Sequence, residues 1–173
     1  KWTAIQTTQY LPNMSGNVWA LENSCDGNIW VSAPNKIALG NVRGIDQIDW
    51  QVLLEDKLNG DFYLGLYIDG KENYWVASLN GGLYKFDGDS LHQFNTLTSA
   101  IPTNNLHGLT GDRKGKIYIK THIGLITFDG KNWQLFTKEN SMLPSNIILD
   151  ILVDKDNSVW IATNAGLAHI KNN

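Results

Sequence analysis

Apolar residues in this chain come in short runs rich in Val, Ile, Trp and Tyr, cut by Gly, Asn and Asp. Runs of that composition, bounded by turn formers, predict strands rather than helices. Four of them read alike: Ile29-Trp30-Val31, Tyr74-Trp75-Val76, Ile117-Tyr118-Ile119 and Val159-Trp160-Ile161. Their central aromatics are separated by 45, 43 and 42 residues, and four such periods fill the 173 residues. Nine residues upstream of each aromatic stand Leu21, Leu66, Leu109 and Ile151, and twelve upstream stand Val18, Tyr63, Leu106 and Ile148, which predicts a recurring first strand. Downstream, a turn glycine precedes a third strand at Gly82-Leu83, Gly124-Leu125 and Gly166-Leu167. That strand ends in Phe86-Asp87-Gly88 or Phe128-Asp129-Gly130, a turn signature because Gly accepts positive φ and Asp bonds nearby amides. A fourth strand then carries Trp50 and Leu53, Leu91 and Phe94, or Trp133 and Phe136.

Four short strands per period of about 43 is the arithmetic of a propeller blade. The expected fold is all-β, a β-propeller of four four-stranded antiparallel blades in a single domain over residues 1–173. Its repeats fall at about 13–55, 56–98, 99–140, and 141–173 plus 1–6. The fourth repeat lacks its own fourth strand, and Trp2 and Ile5 match Trp133 and Phe136. The N-terminal strand is therefore expected to complete the last blade, within one chain or between two chains of a larger ring; a piece of a longer array has the same offset. The first repeat departs most, because Pro34-Asn35-Lys36 replaces the turn glycine and Leu39 to Asp49 reads as a short insertion.

Composition narrows the function classes. With 42% hydrophobic residues, 18% charged residues and a net charge of -3, the chain has the core-forming content of a folded domain. No apolar run is long enough for a membrane-spanning helix, since even Ile147 to Val153 is interrupted by Asp150. The start, Lys1-Trp2-Thr3, has no apolar signal core, so an export signal is expected to be removed or never present. The lone Cys25 allows neither an intramolecular disulfide nor a zinc site of several cysteines. A mildly acidic chain without a basic cluster argues against nucleic acid as partner.

Leu143-Pro144-Ser145-Asn146, leading to Asp154, Val159-Trp160-Ile161 and Gly166-Leu167, resembles the two-component regulator propeller repeat. So does Ile101-Pro102-Thr103-Asn104, leading to Asp112, Ile117-Tyr118-Ile119, Gly124-Leu125 and Phe128-Asp129-Gly130. The resemblance implies a ligand-sensing β-propeller of the kind found in the periplasmic part of bacterial receptors that detect carbohydrate breakdown products. From it alone follows an expected periplasmic or secreted location.

The residues suited to chemistry are few. The repeat aromatics are expected in the core, since their neighbours are β-branched and the second strand of a blade is covered on both faces. Trp19, Tyr10, Tyr63 and Trp50 vary between repeats and are the better aromatic candidates for a ligand. Asp69, Asp112, Asp154 and Asp156 suggest calcium, but Asp154-Lys155-Asp156 lacks the glycine and distal glutamate of a calcium loop, and turn capping explains them. His92 and His169 sit in no ligand motif, whereas His107 near the axis and His122 in a turn are expected on the same face. The best constellation is a polar ring entering the first strands: Asn17, Asp61, Asn104, Asn105 and Asn146, with Asn35, Asn80, His122 and Asn164 in nearby turns. The expected ligand set is Asn17, Asp61, Asn104, His107, His122 and Asn146, on the face opposite the Asp-Gly turns. No cofactor or metal is expected.

Three functions are compatible with these residues. The first is a non-catalytic module binding a small polar molecule, such as a glycan fragment, at the channel mouth. The second is a protein-interaction scaffold. The third is an enzyme, because propellers resembling streptogramin lyase share this kind of repeat; it needs a matched acid and base, and only His107, His122 and Asp61 are on offer.

Overall fold

The computed structural model describes residues 17–24, 26–33, 36–44, 47–55 and 62–171. The N-terminal strand expected at 1–6, together with Tyr10, Cys25, Asn35 and Asp61, lies outside them.

The described residues form antiparallel sheets and no helix. The first sheet contains β1 (Ala20–Asn23), β2 (Ile29–Ala33), β3 (Lys36–Gly44) and β4 (Gln47–Glu55), and the second β5 (Tyr63–Ile68), β6 (Tyr74–Ser78), β7 (Gly82–Phe86) and β8 (Leu91–Phe94). The third comprises β9 (Gly108–Gly111), β10 (Ile117–Lys120), β11 (Leu125–Phe128) and β12 (Trp133–Phe136). The fourth has β13 (Ile148–Val153), β14 (Val159–Thr163) and β15 (Gly166–Ile170). Each strand pairs with its neighbour in sequence, so every sheet is an up-and-down meander. The innermost strands follow one another in space, β1 against β5, β5 against β9 and β9 against β13. This is the blade arrangement of a β-propeller.

Alternation along each second strand explains why the blades stack. Trp75 and Ala77 on one face of β6 pack with Ile101, Leu106, Ile117, Ile119 and Phe128 of the next repeat. Val76 on the other face joins Trp30, Ile37 and Leu54 of the first blade. Tyr118 and Leu125 meet Val159, Ile161 and Ile148 of the fourth in the same way. Each aromatic thus faces forward to the following blade, and the residues beside it face backward. Trp30, Trp75 and Tyr118 are buried, as their pattern predicts. Trp160 is half-buried, because its forward face carries His169 stacked at 3.9 Å while Leu152 and Leu167 remain 63% and 60% exposed.

Two glycines mark close approaches, one between blades and one within a blade. A Cβ on Gly65 of β5 would stand 2.6 Å from the Gly108 Cα and 2.7 Å from the Leu109 nitrogen, so the inner strands of blades two and three touch backbone to backbone. Gly124 has φ +136°, and a side chain there would collide with the Phe136 carbonyl. The segment read as an insertion in the first repeat is instead strand: β3 and β4 pair from Lys36↔Glu55 to Gly44↔Gln47. Among the described residues, no helix is long and apolar enough to cross a membrane.

Candidate functional site

The turns between first and second strands are held by their own carboxylates. Asp69 Oδ1 accepts from the Lys71 and Asn73 amides at 2.8 and 3.0 Å, and Asp112 Oδ1 from those of Lys114 and Lys116, both at 2.9 Å. Asp156 accepts from the Ser158 amide at 2.9 Å. Among the described residues no group of three or more His, Cys, Asp and Glu converges as a metal cradle.

At the other end of the blades, where the first strands begin, the predicted histidines come together. His107 enters β9, His122 lies in the turn after β10, and their rings stack at 3.9 Å and 18°. The His107 amide donates to the Lys120 carbonyl at 2.9 Å, which fixes its ring beside the sheet edge. Its Nε2 is buried without a hydrogen-bond partner. Burial, followed by the charges of His122 and Lys120, pushes the His107 pKa below the usual imidazole value.

The predicted amides divide their work. Asn104 Oδ1 accepts from the Thr96 amide at 2.8 Å, and Asn146 Oδ1 from the Lys138 amide at 2.7 Å. Both bonds span eight residues and close the loop before the next blade. Asn146 Nδ2 also donates to Glu139 at 3.2 Å. Asn17 is exposed ahead of β1, and Asp61 lies outside the described residues.

Between the inner strands lies an axial cavity of about 220 Å³. All four blades contribute to its wall, which includes Trp19, Glu22, Lys120 and Asp150. Gly108, the residue after His107, also lines it. Burial raises the Glu22 pKa. Lys120 lies over Gly108, and its ammonium donates to the Leu149 carbonyl at 3.2 Å. Sequence reasoning named Trp19 but missed Glu22, Lys120 and Asp150. The signal was present, since the positions of Lys120 and Asp150 hold only Ser, Ala or Gly in the other repeats.

Fold and site together define a β-propeller whose inner strands enclose a polar axial cavity. Within it, residues 142–165 match the family model for the two component regulator propeller. A comparison with curated protein sequences finds no match. The extracellular domain of a protein assigned to a one-component system of B. thetaiotaomicron is similar, with a TM-score of 0.73 and 22% identity over 98% of this chain and 23% of that one. PorZ, a surface component of the type-IX secretion system of Porphyromonas gingivalis, has a TM-score of 0.67 and 17% identity over 90% and 26% of the two chains. An inactive virginiamycin B lyase from Staphylococcus aureus, solved with quinupristin, has a TM-score of 0.67 and 16% identity over 94% and 58%. The chain spans about a quarter of the length of the first two and just over half of the lyase. Likeness at these identities establishes the propeller fold.

Proposed function

We propose that this chain is a non-catalytic ligand-binding propeller that recognises a small polar molecule, such as a glycan fragment, at the axial mouth, in a periplasmic or secreted protein. The observation that carries this reading is the axial cavity, where Trp19, Glu22, Lys120 and Asp150 stand beside the stacked His107 and His122. An aromatic face suits the apolar side of a sugar ring, and carboxylates, amides and an ammonium suit its hydroxyls. In this reading Asn17, exposed just ahead of β1, joins the rim of the same site, while Asn104 and Asn146 close the loops that lead into the inner strands. The repeat match and the likeness to an extracellular sensor domain support a sensing role. A thermal-shift screen with mono- and oligosaccharides tests it. Stabilisation by a sugar, lost in Trp19→Ala and in Asp150→Asn, is the expected result; no stabilisation by any saccharide overturns the glycan reading.

A second reading, an interaction scaffold that self-associates into a larger ring, draws on the exposed forward face of the fourth blade at Leu152 and Leu167. Apolar surface of that kind marks association sites.

A further inference from the structure

A further cavity lies at the opposite end of the blades from the histidines. It occupies about 470 Å³ between blades two and three, beside the turns at Asp69, Arg113 and Asp129. Its floor is aromatic. Trp75, Phe94 and Phe128 pack with ring centroids 5.4 to 6.3 Å apart. Its rim is cationic, formed by Lys71, Lys85, Arg113 and Lys114.

The carboxylates at this rim are already committed. Asp69 accepts from two turn amides, from Asn73 Nδ2 and from the Trp75 indole at 2.9 Å. Asp129 accepts from the Lys131 and Asn132 amides at 2.9 and 2.7 Å. Arg113 reaches across to the Lys155 carbonyl at 3.2 Å. The Lys71, Lys85 and Lys114 ammonium groups have no carboxylate within ion-pair distance among the described residues. Lys85 Nζ instead stands 5.6 Å from the centre of the Trp75 ring, over the floor.

The repeat shows that these cations are not part of building a blade. Four residues before the second-strand aromatic, the outer repeats carry Asp26 and Asp156, and both accept hydrogen bonds from their own turns. The two repeats that flank the cavity carry Lys71 and Lys114 at that position. Lys85 pairs across the sheet from Trp75, where the other blades place Leu39, Thr127 and His169. Charge reversal is therefore confined to the blades that share this groove. The groove is also open for a local reason. Between blades one and two, Tyr74 covers Trp30 with centroids 4.1 Å apart, whereas the matching residue of blade three is the smaller Ile117.

We propose that the groove between blades two and three is a second binding site, separate from the axial one, for a small organic anion: a molecule with an apolar ring and a phosphate, sulfate or carboxylate group. The ring lies against Phe94 and the edge of Trp75, and the anionic group is held by Lys71, Lys85 and Lys114. Charge-assisted bonds at a rim above an apolar floor bind the two parts together more tightly than either alone.

Three probes separate the contributions: phenyl phosphate carries both parts, inorganic phosphate only the charge and benzyl alcohol only the ring. Titration calorimetry on the whole chain, with tryptophan fluorescence alongside, reads them. Phenyl phosphate is expected to bind saturably at millimolar concentration or below, more tightly than either fragment, and to weaken as salt is raised. The double substitution Lys71→Asp with Lys114→Asp restores the residue type of the outer repeats in exposed turns. It should weaken phenyl phosphate by roughly tenfold or more, as expected for losing charge-assisted bonds. Lys85→Gln tests the same site without touching the turns and should weaken binding in the same direction. Saturable binding absent for phenyl phosphate, equal affinity for benzyl alcohol, or affinity unchanged in both variants would overturn the proposal. Axial-site variants such as Asp150→Asn should leave phenyl phosphate binding unchanged; loss of binding there would assign the anion to the axial cavity instead.

Discussion

His107 is the residue at which burial, charge and geometry meet. Its ring is stacked on His122, its Nε2 lacks a partner, and its pKa is pushed down by burial first and by His122 and Lys120 after that. A base with a lowered folded-state pKa makes the native state bind fewer protons than the unfolded chain. Its contribution to stability is therefore complete above the unfolded value near 6.5 and is lost as pH falls through the folded value. NMR titration of the imidazole resonances should place His107 below 6.5, and His122→Ala should move it upward; no movement would mean that burial and Lys120 set the shift without His122. Trp75 gives a second residue-scale expectation. It is buried and its indole donates to Asp69, so Trp75→Ala should cost about 3–5 kcal/mol in denaturant unfolding. Trp160→Ala should cost distinctly less, because one face of that ring is covered only by His169. The meeting of His107 and His122 was legible from the repeat register, which places both at one end of the blades. The axial charges were not, because Lys120 and Asp150 sit inside strands whose pattern is defined by agreement between repeats, and these two residues depart from it. Asn104 and Asn146 teach the converse: both lie eight residues after the amide they accept from, in successive repeats, and such recurrence marks a loop closure.

At the scale of the element, each blade was readable because one aromatic and its β-branched neighbours fix the second strand, and the register of the other three follows by pairing. The exception was the outer hairpin of the first blade, β3 with β4, where Leu39 to Asp49 read as an insertion and Gly40 and Gly44 look like loop residues. Gly40 instead leaves room for a ring: a Cβ there would stand 2.8 Å from Trp50 Cζ3 of the paired strand. A glycine inside a strand marks such a close approach as often as a break. The same logic gives a test at the contact of β5 with β9. Gly65→Ala would force the two inner strands apart, since its Cβ meets backbone that cannot rotate away. Overpacking of this kind costs about 1–3 kcal/mol. The loss should appear as a lower melting temperature, while Gly88→Ala, with nothing within 4 Å, tests the effect of a positive φ (+98°) without any crowding. Gly65 has no positive φ of its own, so an unchanged melting temperature in Gly65→Ala would show that the inner strands have room to part.

Stacking direction governs the whole molecule. Three times along the chain a forward-facing aromatic surface is covered by the backward face of the following blade, and the buried clusters lie at those junctions. The forward face of the fourth blade has the same construction, with Trp160 on β14, Leu152 on β13 and Leu167 on β15, yet the last two remain exposed. Uncovered apolar area contributes about 25 cal/mol per Å² when it is removed from water, so association through this face is favoured wherever a matching surface meets it. Replacing Leu152 and Leu167 together with Lys places charge on that face without touching the interior clusters. Sedimentation of the unaltered chain across a concentration series should show growth of a larger species, and the double variant should stay at the mass of one chain. Dilution should lower the melting temperature of the unaltered chain only, because stabilisation by a partner follows mass action. If both proteins sediment alike and melt independently of concentration, the face is stable in water as it stands, and the larger ring is ruled out as a product of this surface.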